Sequence, residues 1–137
     1  MLRHIWKIEM KVLVEISAGE LFDKITILKI KTEKIKDKSK LENVHKELDI
    51  LQKEALKFND MSDQLSDHIK NLKNINSELW DIENIKREME ASKDFGESFI
   101  KISRDVHFKN DIRAIIKKDI NNLTNSNVSE EKEYSKY

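Results

Sequence analysis

The chain has 137 residues, with no cysteine, no proline and only two glycines. This length fits one domain with a modest core, and so little proline and glycine disfavours turn-rich sheet folds. The 26 basic and 26 acidic side chains cancel, so no overall field attracts nucleic acid or an anionic membrane. Without cysteine, thiolate catalysis, disulfides and cysteine-ligated metals are excluded. We therefore expect an all-α, cytoplasmic protein built from long amphipathic helices.

The first residues differ from the rest of the chain in composition. Residues 1–9 are weakly patterned and are interpreted as an N-terminal extension, with Met10 as a candidate start of the fold. The β-branched residues between Val12 and Ile16 predict one short β-strand. A lone strand favours dimerisation through its free edge. The longest apolar run, residues 12–14, is far too short to span a membrane.

A capping box predicts where the first helix begins. The Ser17 hydroxyl is placed to accept from the backbone N–H of Glu20, whose carboxylate can accept in turn from the N–H of Ser17. The apolar residues that follow are spaced by four and three and cover a wide face: Leu21, Phe22, Ile25, Ile27, Leu28, Ile30 and Ile35. We expect this helix to be buried on more than one side.

The middle of the chain predicts two further helices. A second capping box, Ser39 to Glu42, precedes a heptad register formed by Leu41, Val44, Leu48, Leu51, Ala55 and Phe58. Residues 59–62 predict a turn, after which a third stripe follows: Leu65, Ile69, Leu72, Ile75, Leu79, Ile82, Ile85 and Met89. We expect these two helices to form a long antiparallel, coiled-coil-like hairpin. Without the turn they would fuse into one helix.

A fourth helix is predicted from the capping chemistry of Asp94 to Glu97, running to about Leu123. Arg113 occupies one position of its apolar stripe. The polar residues 124–137 are interpreted as a flexible tail unless Tyr134 docks. The predicted architecture is thus a four-helix arrangement in a single domain, residues 10–123, with one short N-terminal β-strand.

Three groups of residues are candidates for catalysis. Arginine is rare in this lysine-rich chain, so Arg113 either pairs with an acidic side chain at the edge of the core or binds a ligand bidentately. Glu20 and Asp23 lie on one helical face at a spacing that can hold Mg²⁺, although the Glu-x-x-Glu partner that such enzymes need is found only in the tail. Arg104, His107 and Asp111 share a face that fits either a general base or an ordinary surface pair.

Trp80 and its neighbours are candidates for ligand binding. An indole among polar groups lines a pocket or covers the end of a core. Glu83 lies close to it in sequence and is spaced to pair with Arg87. The chain carries no glycine-rich phosphate loop, nucleophile elbow or zinc-binding histidine pair. No cofactor is expected except Mg²⁺, and that only if the chain is an enzyme.

The segment ISAGELFDKITILKIK, residues 16–31, resembles the opening of a small uncharacterised family of bacteria and their phages. The resemblance extends through residues 43–48, 79–83, 95–96 and the helix from Arg104 to Arg113, and covers roughly residues 10–123. Because the family is named only as a domain of unknown function, the resemblance implies no activity.

Three functions remain open at this point. The leading hypothesis is a non-enzymatic helical interaction protein, a homodimer or a binder of partner helices, in which apolar stripes and the single strand are buried against a partner. The alternative is a small all-α enzyme or ligand-binding protein for a phosphorylated or nucleotide substrate. Nucleic-acid binding through the lysines of residues 29–46 ranks third, because no aromatic residues are interleaved with them for stacking.

Overall fold

The structure, a computed structural model, describes residues 9–137. Within that range it contains four α-helices: α1 (Ala18–Lys34), α2 (Lys38–Ala55), α3 (Asp63–Ser92) and α4 (Glu97–Thr124). One 3-10 turn, Leu56–Phe58, follows α2. The predicted all-α class and four helices are confirmed for this part of the chain. None of these helices is both long and apolar enough to cross a membrane.

Helix α1 forms the centre of the molecule. It begins as predicted, because the Ser17 hydroxyl accepts a hydrogen bond from the backbone N–H of Glu20 at 3.1 Å. Its apolar side chains are buried, and α1 contacts each of the other three helices. As its wide apolar face predicted, α1 is buried on more than one side, and only a narrow polar strip of the helix is exposed to solvent.

Helix α2 begins earlier than predicted. Its N-cap is Asp37, whose side chain accepts from the backbone N–H of Lys40 at 3.0 Å, so the predicted start at Ser39 is wrong by two residues. Aspartate caps as well as serine does and adds a favourable charge at the positive end of the helix. The heptad stripe of α2 packs on α1, and the rings of Phe58 and Phe22 meet edge-to-face with centroids 5.3 Å apart.

The predicted turn is present, but the predicted hairpin is not. Residues 59–62 separate α2 from α3, with Ser62 as the N-cap of α3. The backbones of α2 and α3 nowhere approach each other closely; both pack against α1 instead. Because α1 is apolar on several sides, it lies between the two stripes that the sequence suggested would pair with each other.

Helix α3 pairs with α4. Glu78 binds Lys109 at 3.0 Å, and the Lys86 ammonium lies 6.0 Å from the Phe99 ring centre, so the two helices run in opposite directions. The break between them occurs where it was expected. The N-cap of α4 is Gly96 rather than Asp94, and the Asp94 side chain accepts from the backbone N–H of Gly96 at 3.3 Å.

The predicted N-terminal β-strand is not formed in the single chain. Residues 9–17 carry no helix or strand, and no other strand lies in the described range 9–137 to pair with them. Ile16 packs against the core, whereas Val12, Leu13 and Val14 are exposed. A strand requires a backbone partner, and the regular elements within residues 9–137 are all helical.

The residues after α4 return along its surface. Ser126 accepts from the backbone N–H of Ala18 at 3.1 Å, and the Tyr137 hydroxyl donates to Asp111. Tyr134, which was expected to dock if any tail residue did, is exposed. The tail therefore contacts the helices through Ser126 and Tyr137, and not through Tyr134 as the sequence suggested.

Candidate functional site

A buried ion pair joins α1 to α4. Arg113 donates from Nε to Asp23 Oδ1 at 3.0 Å and from Nη2 to Asp23 Oδ2 at 2.5 Å. The Asp23 side chain is 3% exposed and that of Arg113 is 29% exposed. The planar guanidinium matches both carboxylate oxygens at once. Arg113 therefore lies on an apolar stripe because it neutralises a carboxylate inside the bundle.

The same carboxylate is also tied to α3. Asn76 donates from Nδ2 to Asp23 Oδ1 at 2.9 Å and to the Thr26 hydroxyl at 3.1 Å. Burial raises the pKa of the Asp23 carboxyl, but the hydrogen bonds from Arg113 and Asn76 outweigh burial, and the net pKa is below its usual value. Asp23 is thus an ionised group that connects three helices.

A second cation extends this network towards the tail. Lys117 Nζ donates to Glu20 Oε2 at 2.8 Å and to Glu130 Oε2 at 3.0 Å, and lies 3.7 Å from Asp23 Oδ2. Burial lowers the pKa of Lys117, but the hydrogen bonds to Glu20 and Glu130 outweigh it, so the net pKa is raised. With Arg113 included, two cations are bound to three carboxylates, and the remaining negative charge is offset at the surface by Lys24, 3.7 Å from Glu20, and Lys132, 3.6 Å from Glu130.

The network is completed where the backbones of α1 and α4 come closest. The N–H of Gly19 donates to Asn121 Oδ1 at 2.6 Å. A Cβ on residue 19 would lie 2.5 Å from the backbone oxygen of Lys117, so only glycine allows this approach. The first N–H groups of α1, which have no partner inside their own helix, are thereby satisfied by side chains from the end of α4 and beyond.

The predicted His107–Asp111 pair is not formed among the described residues, because Tyr137 occupies the space. Its hydroxyl donates to Asp111, which raises the pKa of Tyr137, and its ring packs on His107 with centroids 5.1 Å apart. Arg104 stacks over the Phe108 ring at 5.7 Å and is exposed. Of the catalytic candidates, the structure brings together Glu20, Asp23 and Arg113 in one network that does not include Arg104.

Trp80 and Glu83 line a cleft of about 250 Å³ between α1, α3 and α4. Arg113 and the amides of Asn76 and Asn110 supply its other polar groups, and the remaining lining is aliphatic. Arg87 donates from Nε to Glu83 at 2.8 Å, but both of these side chains are well exposed. Trp80 and Glu83, two of the three residues predicted to bind a ligand, thus line the cleft, whereas Arg87 is bound to Glu83 but does not line it.

The two carboxylates considered for Mg²⁺ are both bound by cations from α4. Asp23 is occupied by Arg113, and Glu20 by Lys117. In the part of the chain that the structure describes, no group of three or more histidine and acidic side chains is placed to hold a metal ion. A hard divalent cation needs free oxygen ligands, and the oxygens here are already neutralised by cations from α4.

Among the apolar side chains left exposed in residues 9–137, one group lies before α1 and another on α4. Met10, Val12, Leu13 and Val14 are 73–92% exposed, and residues 9–16 make no backbone–backbone hydrogen bond within the described range. On the outer side of α4, Ile100, Ile112 and Ile115 are 48–60% exposed. Before α1, the exposed apolar side chains lie next to backbone groups that have no backbone partner in the described range, whereas the backbone of α4 is hydrogen-bonded within its own helix.

Sequence reasoning missed Asn76, Lys117 and Asn121. A signal for two of them exists, because Lys117 and Asn121 follow Arg113 at successive spacings of four and therefore share its helical face. Asn76 is likewise four residues after the fully buried Leu72. Polar residues in apolar register thus mark this network, but their partners on other helices cannot be read from spacing.

Comparison with known proteins gives one match. Neither the curated proteins nor the solved structures contain a match to the chain. The model of the family of unknown function DUF6165 matches residues 10–137, and therefore includes the segment before α1 and the residues after α4. The chain belongs to the family of unknown function DUF6165.

Proposed function

We propose that this chain is a non-enzymatic helical interaction protein of the cytoplasm that associates with a second copy of itself. The observation that carries the proposal is the exposed segment Met10–Val14, in which four large apolar side chains are uncovered next to a backbone that has no backbone partner among residues 9–137. Soluble monomers rarely leave a contiguous apolar surface open. A second copy is a fitting partner because a two-fold axis buries the same patch on both chains.

The helical stripes that first suggested self-association do not support it. The stripe of α2 packs against α1 and that of α3 packs against α1 and α4, while in the stripe of α4 Ile120 is buried and the other side chains are partly covered. A coiled-coil contact between two copies would have to use residues that already form the core. Association therefore rests on the segment before α1.

The charged network supports a structural rather than a catalytic role. Both oxygens of Asp23 are bound by Arg113, and Lys117 is bound by Glu20 and Glu130. A general base or a metal ligand needs a lone pair directed at a substrate. Here the charged groups satisfy one another and fix the relative positions of α1, α3 and α4.

The test is the molar mass measured by light scattering after size-exclusion chromatography over a range of loading concentrations. We expect a dimer that dissociates on dilution. The Val12→Asp/Val14→Asp variant should be monomeric, because a dimer would bury four added carboxylates. The matched control Ile112→Asp/Ile115→Asp, which changes the outer face of α4, should still dimerise. A parent that is monomeric at every concentration contradicts the proposal.

A second function is favoured by the cleft beside Trp80. An indole, two amides and a guanidinium around an aliphatic cleft suit a small planar ligand, such as the base of a nucleotide. A thermal-shift panel of nucleotides with and without Mg²⁺, nucleotide sugars and sugar phosphates tests this, because binding to the native state raises the melting temperature. A shift that disappears in Trp80→Leu would support it, and no shift across the panel would contradict it.

A further inference from the structure

The segment before α1 has two chemically different faces. If it is extended, Met10, Val12, Val14 and Ile16 alternate onto one face, and Lys11, Leu13 and Glu15 onto the other. Every residue on the first face is apolar. The second face carries one apolar residue between two opposite charges. This is the pattern of a half-buried strand, although residues 9–137 of the single chain provide no strand to pair with it.

The segment is complementary to itself in only one orientation. When two copies run antiparallel with Leu13 opposite Leu13, Lys11 of each copy lies opposite Glu15 of the other. The same register places Val12 opposite Val14, and Met10 opposite Ile16. Directly opposed residues in an antiparallel pair point to the same face and interact. A parallel pair in the same register would instead place each lysine opposite a lysine.

Resting on the proposed self-association, we infer that two copies of this chain pair through residues 10–16 as an antiparallel two-stranded ribbon, with Leu13 on the two-fold axis. The pairing satisfies backbone groups that have no backbone partner within the described part of the single chain. It also places eight apolar side chains, four from each copy, on one face of the ribbon.

The ends of the ribbon fit the rest of the structure. Ile16 packs against the core of its own chain, so the apolar face of the ribbon continues into the helical body rather than into solvent. Glu15 Oε2 accepts from Asn127 at 2.6 Å, and its second carboxylate oxygen is available to Lys11 of the other copy. An isolated two-stranded ribbon is only marginally stable, so contact of its apolar face with the two helical bodies is part of the inference.

Single cysteines test the register, because the chain has no cysteine of its own. Opposed Cβ atoms lie about 4.5–5.5 Å apart in such a pair, so Leu13→Cys should form a disulfide-linked dimer rapidly under mild oxidation. In Met10→Cys the two sulfurs are separated by six residues along the ribbon, about 20 Å. This control should cross-link far more slowly at the same concentration.

Charge exchange tests the pairing of Lys11 with Glu15 without any covalent link. Lys11→Glu places two carboxylates opposite each other on both sides of the axis, and we expect the dissociation constant to rise about fivefold or more. The double variant Lys11→Glu/Glu15→Lys restores opposite charges in the same register. It should bring the dissociation constant back towards that of the parent.

The outcomes separate the ribbon from self-association in general. If the parent dimerises, Leu13→Cys cross-links faster than Met10→Cys and the double charge variant recovers affinity, the inference is supported. If the parent dimerises but the two cysteines react equally, or the double variant binds no better than Lys11→Glu, the ribbon is refuted while self-association stands. A parent that remains monomeric overturns both.

Discussion

Replacing Arg113 with methionine removes the guanidinium and keeps most of the aliphatic stem. Asp23, with a side chain only 3% exposed, would then retain Asn76 at 2.9 Å and the Lys117 ammonium at 3.7 Å. Removing one partner of a buried ion pair costs roughly 3–5 kcal/mol. Because Lys117 still offsets the charge and Arg113 is 29% exposed, we expect a loss near the lower end, about 3 kcal/mol.

This loss can be measured as a fall in the free energy of unfolding from urea denaturation. At an unfolding entropy of about 2.1 cal/mol/K per residue, the 137 residues give about 290 cal/mol/K, so the melting temperature should fall by about 10 °C. The double variant Asp23→Asn/Arg113→Met should lose less than the sum of its single variants, because no unpaired carboxylate remains in the bundle.

The matched control is Arg104→Met, which removes an exposed arginine from the same helix. Its only described aromatic contact is with Phe108, so the free energy of unfolding should fall by less than about 1 kcal/mol. If Arg113→Met cost no more than Arg104→Met, the account of Arg113 as a structural group inside the bundle would be refuted. Arg113 would then be free to serve the Trp80 cleft.

Three further predictions concern stability to urea. Gly19→Ala should cost about 2 kcal/mol, because its Cβ would lie 2.5 Å from a backbone oxygen of α4, whereas Gly96→Ala, with its nearest contact at 3.6 Å, should cost less than half as much. Ser17→Ala should cost about 1 kcal/mol because it removes the α1 N-cap, and Ser39→Ala, inside α2 and exposed, should have no measurable cost. Since the folded pKa of Asp23 is below its ordinary 3.8, its contribution to stability is complete above that value and is lost as the pH falls through the folded-state pKa. The urea concentration at the unfolding midpoint should therefore fall as the pH is lowered, and it should fall less steeply in Asp23→Asn. An equal pH dependence of the midpoint in the parent and in Asp23→Asn would contradict the assignment of this loss to Asp23.

Helix positions were predictable because local chemistry determines them. The Ser17 cap, the turn at residues 59–62 and the break near Gly96 each depend on a few neighbouring residues. Helix pairing was not predictable in the same way. The stripes of α2 and α3 show that each helix needs a partner, but only the arrangement in space shows that this partner is α1 for α2, and α1 with α4 for α3.

The candidate site was predictable only in part, for a related reason. Arg113 was identified because an arginine in an apolar register is unusual, and Asp23 because of its spacing from Glu20. Their pairing across 90 residues of sequence depends on how α1 and α4 cross. That crossing depends on Gly19, whose lack of a side chain lets the backbones approach, and a single glycine near a capping box gives no sign of such a role.

Hydrogen–deuterium exchange at two protein concentrations tests the central claim most directly. In the single chain the amides of residues 10–16 have no backbone partner in the described range, so they should exchange rapidly in dilute solution. Above the dissociation constant, alternate amides of this segment should become protected, while protection within α1 to α4 stays the same. Rapid exchange of residues 10–16 at both concentrations would contradict the account.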